Sequence, residues 1–216
     1  MRLADLSHSI EDGMITYQEL PAPVVCDFWT RESSRAHYAP GTEFQIGRID
    51  MVANTGTYVD SPFHRYADGN DMSQLPLESL AHLDGIVVRC EDNRVTRDHL
   101  SGIDVRGKAV LIRTDWSRHW RTDAYFSGHP SVTRDAAQLL ADSGAAFVGI
   151  DSYNIDDTAD ATRPVHSILL RAGIPICEHM CNLAALPPSG FRFSAVPVKV
   201  RGLGSFPVRA FAAVEG

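Results

Sequence analysis

The 216-residue sequence contains no apolar run close to the roughly 20 residues that a membrane-spanning helix needs. Its first residues, Met1 to Asp5, also lack the apolar core of a signal peptide, so we expect a cytoplasmic protein with no membrane partner. Basic residues are also fewer than acidic ones: the sequence has 20 Lys and Arg residues and 27 Asp and Glu residues, which gives a formal net charge of −7. A nucleic-acid partner is therefore not expected, since such partners are bound through clustered basic residues.

Cysteine is scarce, with four residues at positions 26, 90, 177 and 181. They are too few and too scattered to form a disulfide framework, so we expect free thiols. Cys177 and Cys181 have the spacing of residues that face one another on a helix, but no second pair at zinc-finger spacing accompanies them. Ordinary packing is the favoured role for both.

The sequence contains no repeat, low-complexity tract or long polar linker, and 44% of its residues are hydrophobic. A chain of this length and composition can build one core of its own, which predicts a single domain over residues 1–216.

Apolar and β-branched runs predict strands at 44–52, 85–90, 109–114, 146–150, 174–178, 191–200 and 208–214. One helix is predicted to begin after Ser131 or Thr133 and to end at Gly144. A second, shorter helix is predicted between Arg163 and Gly173, with His166 in its first turn. Strands outnumber helices and alternate with them, which favours an α/β fold.

The most informative segment is 54–64, Asn-Thr-Gly-Thr-Tyr-Val-Asp-Ser-Pro-Phe-His. Gly56 permits a tight turn and Pro62 stiffens the exit into a loop. Asp60 offers a carboxylate, and four residues later His64 offers an imidazole that titrates near neutral pH. Two interpretations stay open from these residues alone: an active site, or a turn capped by Asp60 beside a structural histidine.

This segment is similar to the signature His-x-Gly-Thr-His-x-Asp-x-Pro-x-His of the cyclase family, which includes bacterial kynurenine formamidases and isatin hydrolases. The resemblance continues in the same order along nearly the whole chain, at residues 5–8, 13–14, 75–78, 149–151, 164–166, 173–178 and 182–183.

The resemblance implies a cyclase-like α/β fold of the swivelling β/β/α type, with a mixed or barrel-like β core flanked by helices. It also implies a metal-dependent hydrolase that opens a carbon–nitrogen bond in a small amide, formamide or cyclic amide. Family members assemble as dimers or tetramers, so a homodimer or homotetramer is expected.

By the same resemblance, Asp60, His166 and Glu178 are metal ligands and His64 is the proton donor and acceptor. A divalent metal acidifies water and polarises a carbonyl, and a nearby imidazole moves the proton to the leaving atom. Tyr17 stands where kynurenine formamidases carry a tryptophan that contacts the substrate, which weakens the case for formylkynurenine itself.

The sequence departs from the signature at Asn54 and Tyr58, which replace two metal-binding histidines. An amide oxygen is a weak zinc ligand, and a tyrosine binds zinc only as a phenolate. One divalent metal, manganese or zinc, is therefore predicted in place of a pair. We assign Asn54 and Arg65 to substrate binding, because Arg65 follows His64 directly and can hold a substrate carboxylate.

Three alternatives accompany this prediction. In the first, the metal has been lost, Tyr58 donates a hydrogen bond to the developing oxyanion and His64 acts as general base. In the second, the same groups serve a cyclase, dehydratase, isomerase or lactone hydrolase that acts on a small carbonyl compound. In the third, the chain is a ligand-binding homologue without catalysis.

Overall fold

The structure, a computed structural model, describes residues 1–215. Its strands are β1 (Arg2–Asp5), β2 (Val24–Trp29), β3 (Ile46–Asp50), β4 (Tyr58–Asp60), β5 (Leu83–Arg89), β6 (Arg94–Val95), β7 (Ala109–Arg113), β8 (Ser131–Val132), β9 (Phe147–Ile150), β10 (Ile176–Glu178), β11 (Ser189–Ser194), β12 (Ser205–Pro207) and β13 (Phe211–Val214). Its helices are α1 (Arg31–Ser34), α2 (Arg97–Leu100), α3 (Arg134–Asp142) and α4 (Pro164–Arg171).

Nine strands form one mixed sheet in the order β1-β13-β11-β5-β7-β9-β10-β4-β12. The four central strands, β5, β7, β9 and β10, run parallel, and the strands on both sides of them are antiparallel. The predicted α/β class with a mixed β core flanked by helices is confirmed.

Strands β4, β7, β9 and β10 of the sheet are buried on both faces. Val110 and Ile112 of β7 pack in a cluster with residues of α3 and α4, whereas Leu111 between them packs in the cluster on the opposite face. Successive strand residues point to opposite faces, so a continuous apolar run such as Ala109–Arg113 fits a strand covered on both sides.

Both predicted helices are confirmed. Thr133 is the N-cap of α3, and the chain leaves this helix through Gly144 at φ +74°. Pro164 occupies the first turn of α4, which ends before Gly173 at φ +76°. Proline suits a first helical turn and glycine suits the left-handed residue after the last one, so local chemistry sets both helices.

Several strand predictions need correction at their ends. The strand predicted at 44–52 spans only Ile46–Asp50, and it pairs with β2 in a separate two-stranded ribbon. The strand predicted at 191–200 ends at Ser194, shortly before Pro197, which has no N–H to donate to a ladder. The strand predicted at 174–178 begins at Ile176 for the same reason, because Pro175 precedes it.

The helical arrangement considered for Cys177 and Cys181 is wrong. Cys177 lies in β10, and Cys181 follows that strand. The four-residue spacing of the two cysteines also fits one face of a helix, but the parallel pairing of β10 with β9 makes the segment around Cys177 a strand. All four cysteines are free, as predicted.

Among residues 1–215, no helix is both long enough and apolar enough to cross a membrane. The single-domain boundary 1–216 stays a prediction.

Replacing Gly85 of β5 by alanine is expected to destabilise the protein by about 1–3 kcal/mol, because a Cβ there would overlap a well-packed aromatic ring. The added atom would lie 2.0 Å from Cε2 of the buried Phe191. Urea unfolding measures the loss. Gly47→Ala in β3 is the matched control, since its Cβ would meet chiefly the flexible Gln45 side chain at 3.3 Å. Equal losses in both variants would contradict the packing argument.

Candidate metal and active site

The candidate site is built on β4, which lies between β10 and β12 in the sheet. Tyr58 is directly opposite Glu178, and Asp60 is directly opposite Ser205. Opposed residues in antiparallel strands project to the same face, so these four side chains share one side of the sheet. Helix α4 packs on that side and adds His166.

Asp60 is fully buried and only half satisfied. Its Oδ1 accepts a hydrogen bond from the Ser205 hydroxyl, whereas its Oδ2 has no hydrogen-bond partner among residues 1–215 and lies 3.5 Å from His166 Nε2. Burial raises the pKa of Asp60, but His64 and His166 together hold it below the usual aspartate value. The group is therefore a carboxylate with one free oxygen facing the centre of the site.

Asp156 orients His166. Its carboxylate accepts the backbone N–H groups of Val165 (2.8 Å) and His166 (3.0 Å), and its Oδ2 lies 2.7 Å from His166 Nδ1. The opposite ring nitrogen, Nε2, is then directed at Asp60 and Glu178, at 3.5 and 3.7 Å. Burial lowers the pKa of His166, but Glu178, Asp156 and Asp60 raise it to about 10.

Glu178 is fully buried at the carboxyl end of β10. Its Oε1 accepts the backbone N–H of Ile155 at 2.6 Å, and its Oε2 accepts the Tyr58 hydroxyl and the Tyr17 hydroxyl, the latter at 3.2 Å. Burial raises the pKa of Glu178, His166 lowers it and Asp60 raises it further. Glu178 is thus held by donors on both oxygens.

The two tyrosines are neutral phenols. Burial, followed by the charge of Glu178, raises the pKa of both Tyr17 and Tyr58 well above the ordinary tyrosine value. Their hydroxyl oxygens lie 2.8 Å apart. Tyr58 therefore serves as a hydrogen-bond donor to Glu178 at a position where the family signature has a metal-binding histidine.

His64 lies at the rim of the site, with 37% of its side chain exposed. Its Nδ1 is 2.9 Å from Ser205 Oγ and 3.6 Å from Asp60 Oδ1. Asn54 donates its side-chain amide N–H to the same Ser205 oxygen at 3.3 Å. Asp60, His64 and His166 each offer one atom that could bind a metal, and these three atoms lie within 4.8 Å of one another.

The donor set fits a divalent cation. Three buried carboxyl groups, those of Asp60, Asp156 and Glu178, surround the single imidazole of His166, which leaves excess negative charge in the interior. Such charge is costly unless it is paired or binds a metal. The unpartnered Asp60 Oδ2 beside His166 Nε2 supplies the oxygen and nitrogen donors that manganese and zinc accept. The structure thus brings the predicted ligands Asp60, His166 and Glu178 together, with His64 as a neighbour.

The site opens into a cavity of about 790 Å³, a size typical of small-molecule pockets. Seven of the eight residues assigned from the sequence line it: Tyr17, Asn54, Tyr58, His64, Arg65, His166 and Glu178. Arg65 donates to Ser167 Oγ at 3.2 Å, and Arg163 also faces the cavity. The cavity therefore combines acid–base groups with cationic and aromatic walls, the latter from Phe126 and Tyr153.

Sequence reasoning missed Ser205, Asp156 and Asn154, a cavity residue whose side-chain N–H donates to the Tyr17 hydroxyl at 3.1 Å. Ser205 follows a glycine near the end of the chain and has no ligand-type pattern around it, whereas Asp156 lies close to the recognised segment 149–151. His179 follows β10 in a left-handed conformation, φ +54°, and its Nδ1 lies 2.9 Å from the Tyr125 hydroxyl.

Comparison with known proteins identifies the family. The Cyclase family model matches residues 4–157. The chain belongs to the Cyclase family. The kynurenine formamidase of Salinibacter ruber is 28% identical to this family member over 215 residues, 97% of this chain and 96% of the relative. The kynurenine formamidase of Bacillus cereus is 25% identical over 183 residues, 84% of this chain and 83% of the relative.

Solved structures agree with this family membership. A protein described as a potential metal-dependent hydrolase with cyclase activity superimposes with a TM-score of 0.79 at 28% identity, covering 98% of this chain and 96% of that one. Isatin hydrolase A from Ralstonia solanacearum gives a TM-score of 0.84 at 23% identity, covering 99% of this chain and 92% of that one. The second likeness shows the shared fold.

The pKa of His166 predicts how stability depends on pH in chelator-treated protein. A folded-state pKa of about 10, above the unfolded value, stabilises the fold fully below about pH 6.5, and this stabilisation is lost as pH rises through 10. The melting temperature in chelator should therefore fall between pH 6.5 and 9.5. Added zinc or manganese should reduce or reverse the slope, because a metal binds the neutral imidazole. A melting temperature in chelator that is flat or rises with pH would contradict the assignment.

Proposed function

We propose that this cyclase-family chain is a metal-dependent hydrolase that opens a carbon–nitrogen bond in a small amide, formamide or cyclic amide. The observation that carries the proposal is the buried, unpartnered Asp60 Oδ2 beside His166 Nε2, at the base of a cavity that also contains His64. The kynurenine formamidases that match this chain over most of its length support hydrolysis over the alternatives.

We propose one cation, manganese or zinc, held by Asp60, His166 and Glu178. When bound, it supplies Lewis acidity, which polarises a carbonyl and acidifies water. A second cation is disfavoured by the two replaced signature positions. Asn54 is hydrogen-bonded to Ser205, and the neutral Tyr58 phenol donates to Glu178.

In this mechanism His64 accepts a proton from the attacking water and returns it to the leaving nitrogen, so the elements of water are added across the carbon–nitrogen bond. Asp156 holds the His166 ring in place through Nδ1. Tyr17, Asn54 and Arg65 are the proposed substrate contacts, which their position on the cavity wall supports. Arg65 would attract a substrate that carries a carboxylate.

The metal-free alternative requires Tyr58 to donate its hydrogen to an oxyanion. That hydrogen is engaged by Glu178, so the tyrosine would first have to leave a buried carboxylate. Such a rearrangement is costly, because it removes a hydrogen bond from a buried carboxylate. We therefore favour a role for Tyr58 in holding Glu178.

To test the function, the purified protein is assayed on an aryl formamide, a cyclic amide and a lactone in ¹⁸O-labelled water, with metal content measured by elemental mass spectrometry. We expect one labelled oxygen in the carboxylic product and about one equivalent of metal. His64→Ala should lower kcat by about 10²–10⁴-fold with metal retained, because it removes the acid–base group. Glu178→Ala should lose both metal and activity.

His119→Ala is the control, since His119 does not line the cavity. An unlabelled, rearranged product would show that the protein is a cyclase or isomerase and not a hydrolase. Full turnover without metal would refute the metal requirement, and unchanged turnover in His64→Ala and Glu178→Ala would refute the assignment of the site.

We also propose a homodimer or homotetramer and a cytoplasmic location. The ribbon of β2 and β3 supports self-association, because it exposes Val24, Phe28, Ile46 and Ile49 by 40% or more. Light scattering after size exclusion should give a mass of two or four chains. The double variant Phe28→Ser and Ile49→Ser should shift this mass toward one chain. A monomeric wild type would end this proposal.

A further inference from the structure

Among residues 1–215, Ser205 is the one side chain within hydrogen-bond distance of the Asp60, His64 and Asn54 side chains together. It is buried, with 3% of its surface exposed, and it lies opposite Asp60 across the β4–β12 pair. Gly204 places β12 against His64, because a Cβ there would lie 2.5 Å from the His64 backbone nitrogen. The hydroxyl is thus fixed between a proposed metal ligand and the proposed acid–base group.

The hydrogen-bonding capacity of Ser205 determines the direction of each bond. A serine hydroxyl has one hydrogen to donate and two lone pairs that accept. Its hydrogen is given to Asp60 Oδ1, since a carboxylate only accepts. The amide N–H of Asn54 takes one lone pair. The 2.9 Å contact with His64 Nδ1 must then use the other lone pair, with the imidazole as donor.

We propose that Ser205, supported by Asn54, is a positioning residue that holds His64 in the Nδ1–H tautomer and so presents an unprotonated Nε2 to the cavity. His64 Nε2 forms no hydrogen bond with any of residues 1–215, and His64 lines the cavity, so this nitrogen is free to take a proton from water. A neutral histidine in water favours the opposite tautomer, and Ser205 reverses that preference. The inference rests on the proposed function, because it describes the acid–base group of that reaction.

The same contacts restrict how Nδ1 of His64 can meet a cation. Nδ1 lies 3.6 Å from Asp60 Oδ1, and a metal could use this nitrogen only after displacing the Ser205 bond. Because Ser205 occupies Nδ1, the nitrogen left for proton transfer is Nε2. Asn54, at a signature histidine position, becomes a donor in this network.

The direct test is the tautomer of His64, read from two-dimensional ¹H–¹⁵N spectra of histidine-labelled protein, zinc-loaded and metal-free, above the titration range of the imidazole. Comparison with His64→Gln assigns the signal. We expect the Nδ1–H pattern in the wild type and the Nε2–H pattern in Ser205→Ala. An Nε2–H pattern in the wild type overturns the inference whatever the activity.

The kinetic test compares Ser205→Ala with Ser61→Ala. The latter removes a buried hydroxyl that donates to the Gly204 carbonyl next to the β4–β12 pair but forms no hydrogen bond with Asp60 or His64. Ser205→Ala should lower kcat about 10–100-fold, with KM and metal content unchanged, as for other residues that orient a functional histidine. Ser205→Thr, which keeps the hydroxyl, should recover much of the loss.

A kcat for Ser205→Ala equal to that of Ser61→Ala overturns the inference, as does a loss of activity that merely follows a loss of metal. These two outcomes differ from a failure of the proposed function. In that case the wild type itself would lack metal or turnover, while the tautomer of its His64 could still be measured.

Discussion

The structure of the site depends on buried negative charge. Asp60, Asp156 and Glu178 are removed from water around one imidazole, and such charge is tolerated only where donors or cations compensate it. Backbone N–H groups of Ile155, Val165 and His166 supply part of the compensation. Asp60 Oδ2 has no hydrogen-bond partner among residues 1–215, so part of the negative charge stays uncompensated and the interior suits a cation.

The surrounding fold serves to hold these charges in place. The parallel centre of the sheet ends at Glu178, the place where α/β sheets commonly bind ligands, and the antiparallel strand β4 brings Tyr58 and Asp60 beside it. Helix α4 begins with Pro164 and puts His166 in its first turn, above the same face. Apolar packing on both sides of the sheet holds the three elements together.

The replaced signature histidines show how one family frame can hold a different set of contacts. Tyr58 and Tyr17 saturate one oxygen of Glu178 with phenolic donors, whereas Asn54 turns to Ser205. Neutral donors near a carboxylate compensate part of its charge. The cavity above them has the cationic residues Arg65 and Arg163 on its wall, which suits a small polar substrate.

The sequence by itself predicted the α/β class and the helices with their proline and glycine ends, because these depend on local periodicity and turn chemistry. Its linear motif and the family resemblance named Asp60, His166 and Glu178, which the structure brings together. It misjudged the ribbon strand β3 and missed the short strands β4 and β12, whose pairing is non-local. Only the tertiary structure decided the partners of each side chain. Ser205 lies 145 residues from Asp60 and Asp156 lies 10 from His166, and distances of that kind are set by strand register and helix packing, on which the residue pattern carries no information.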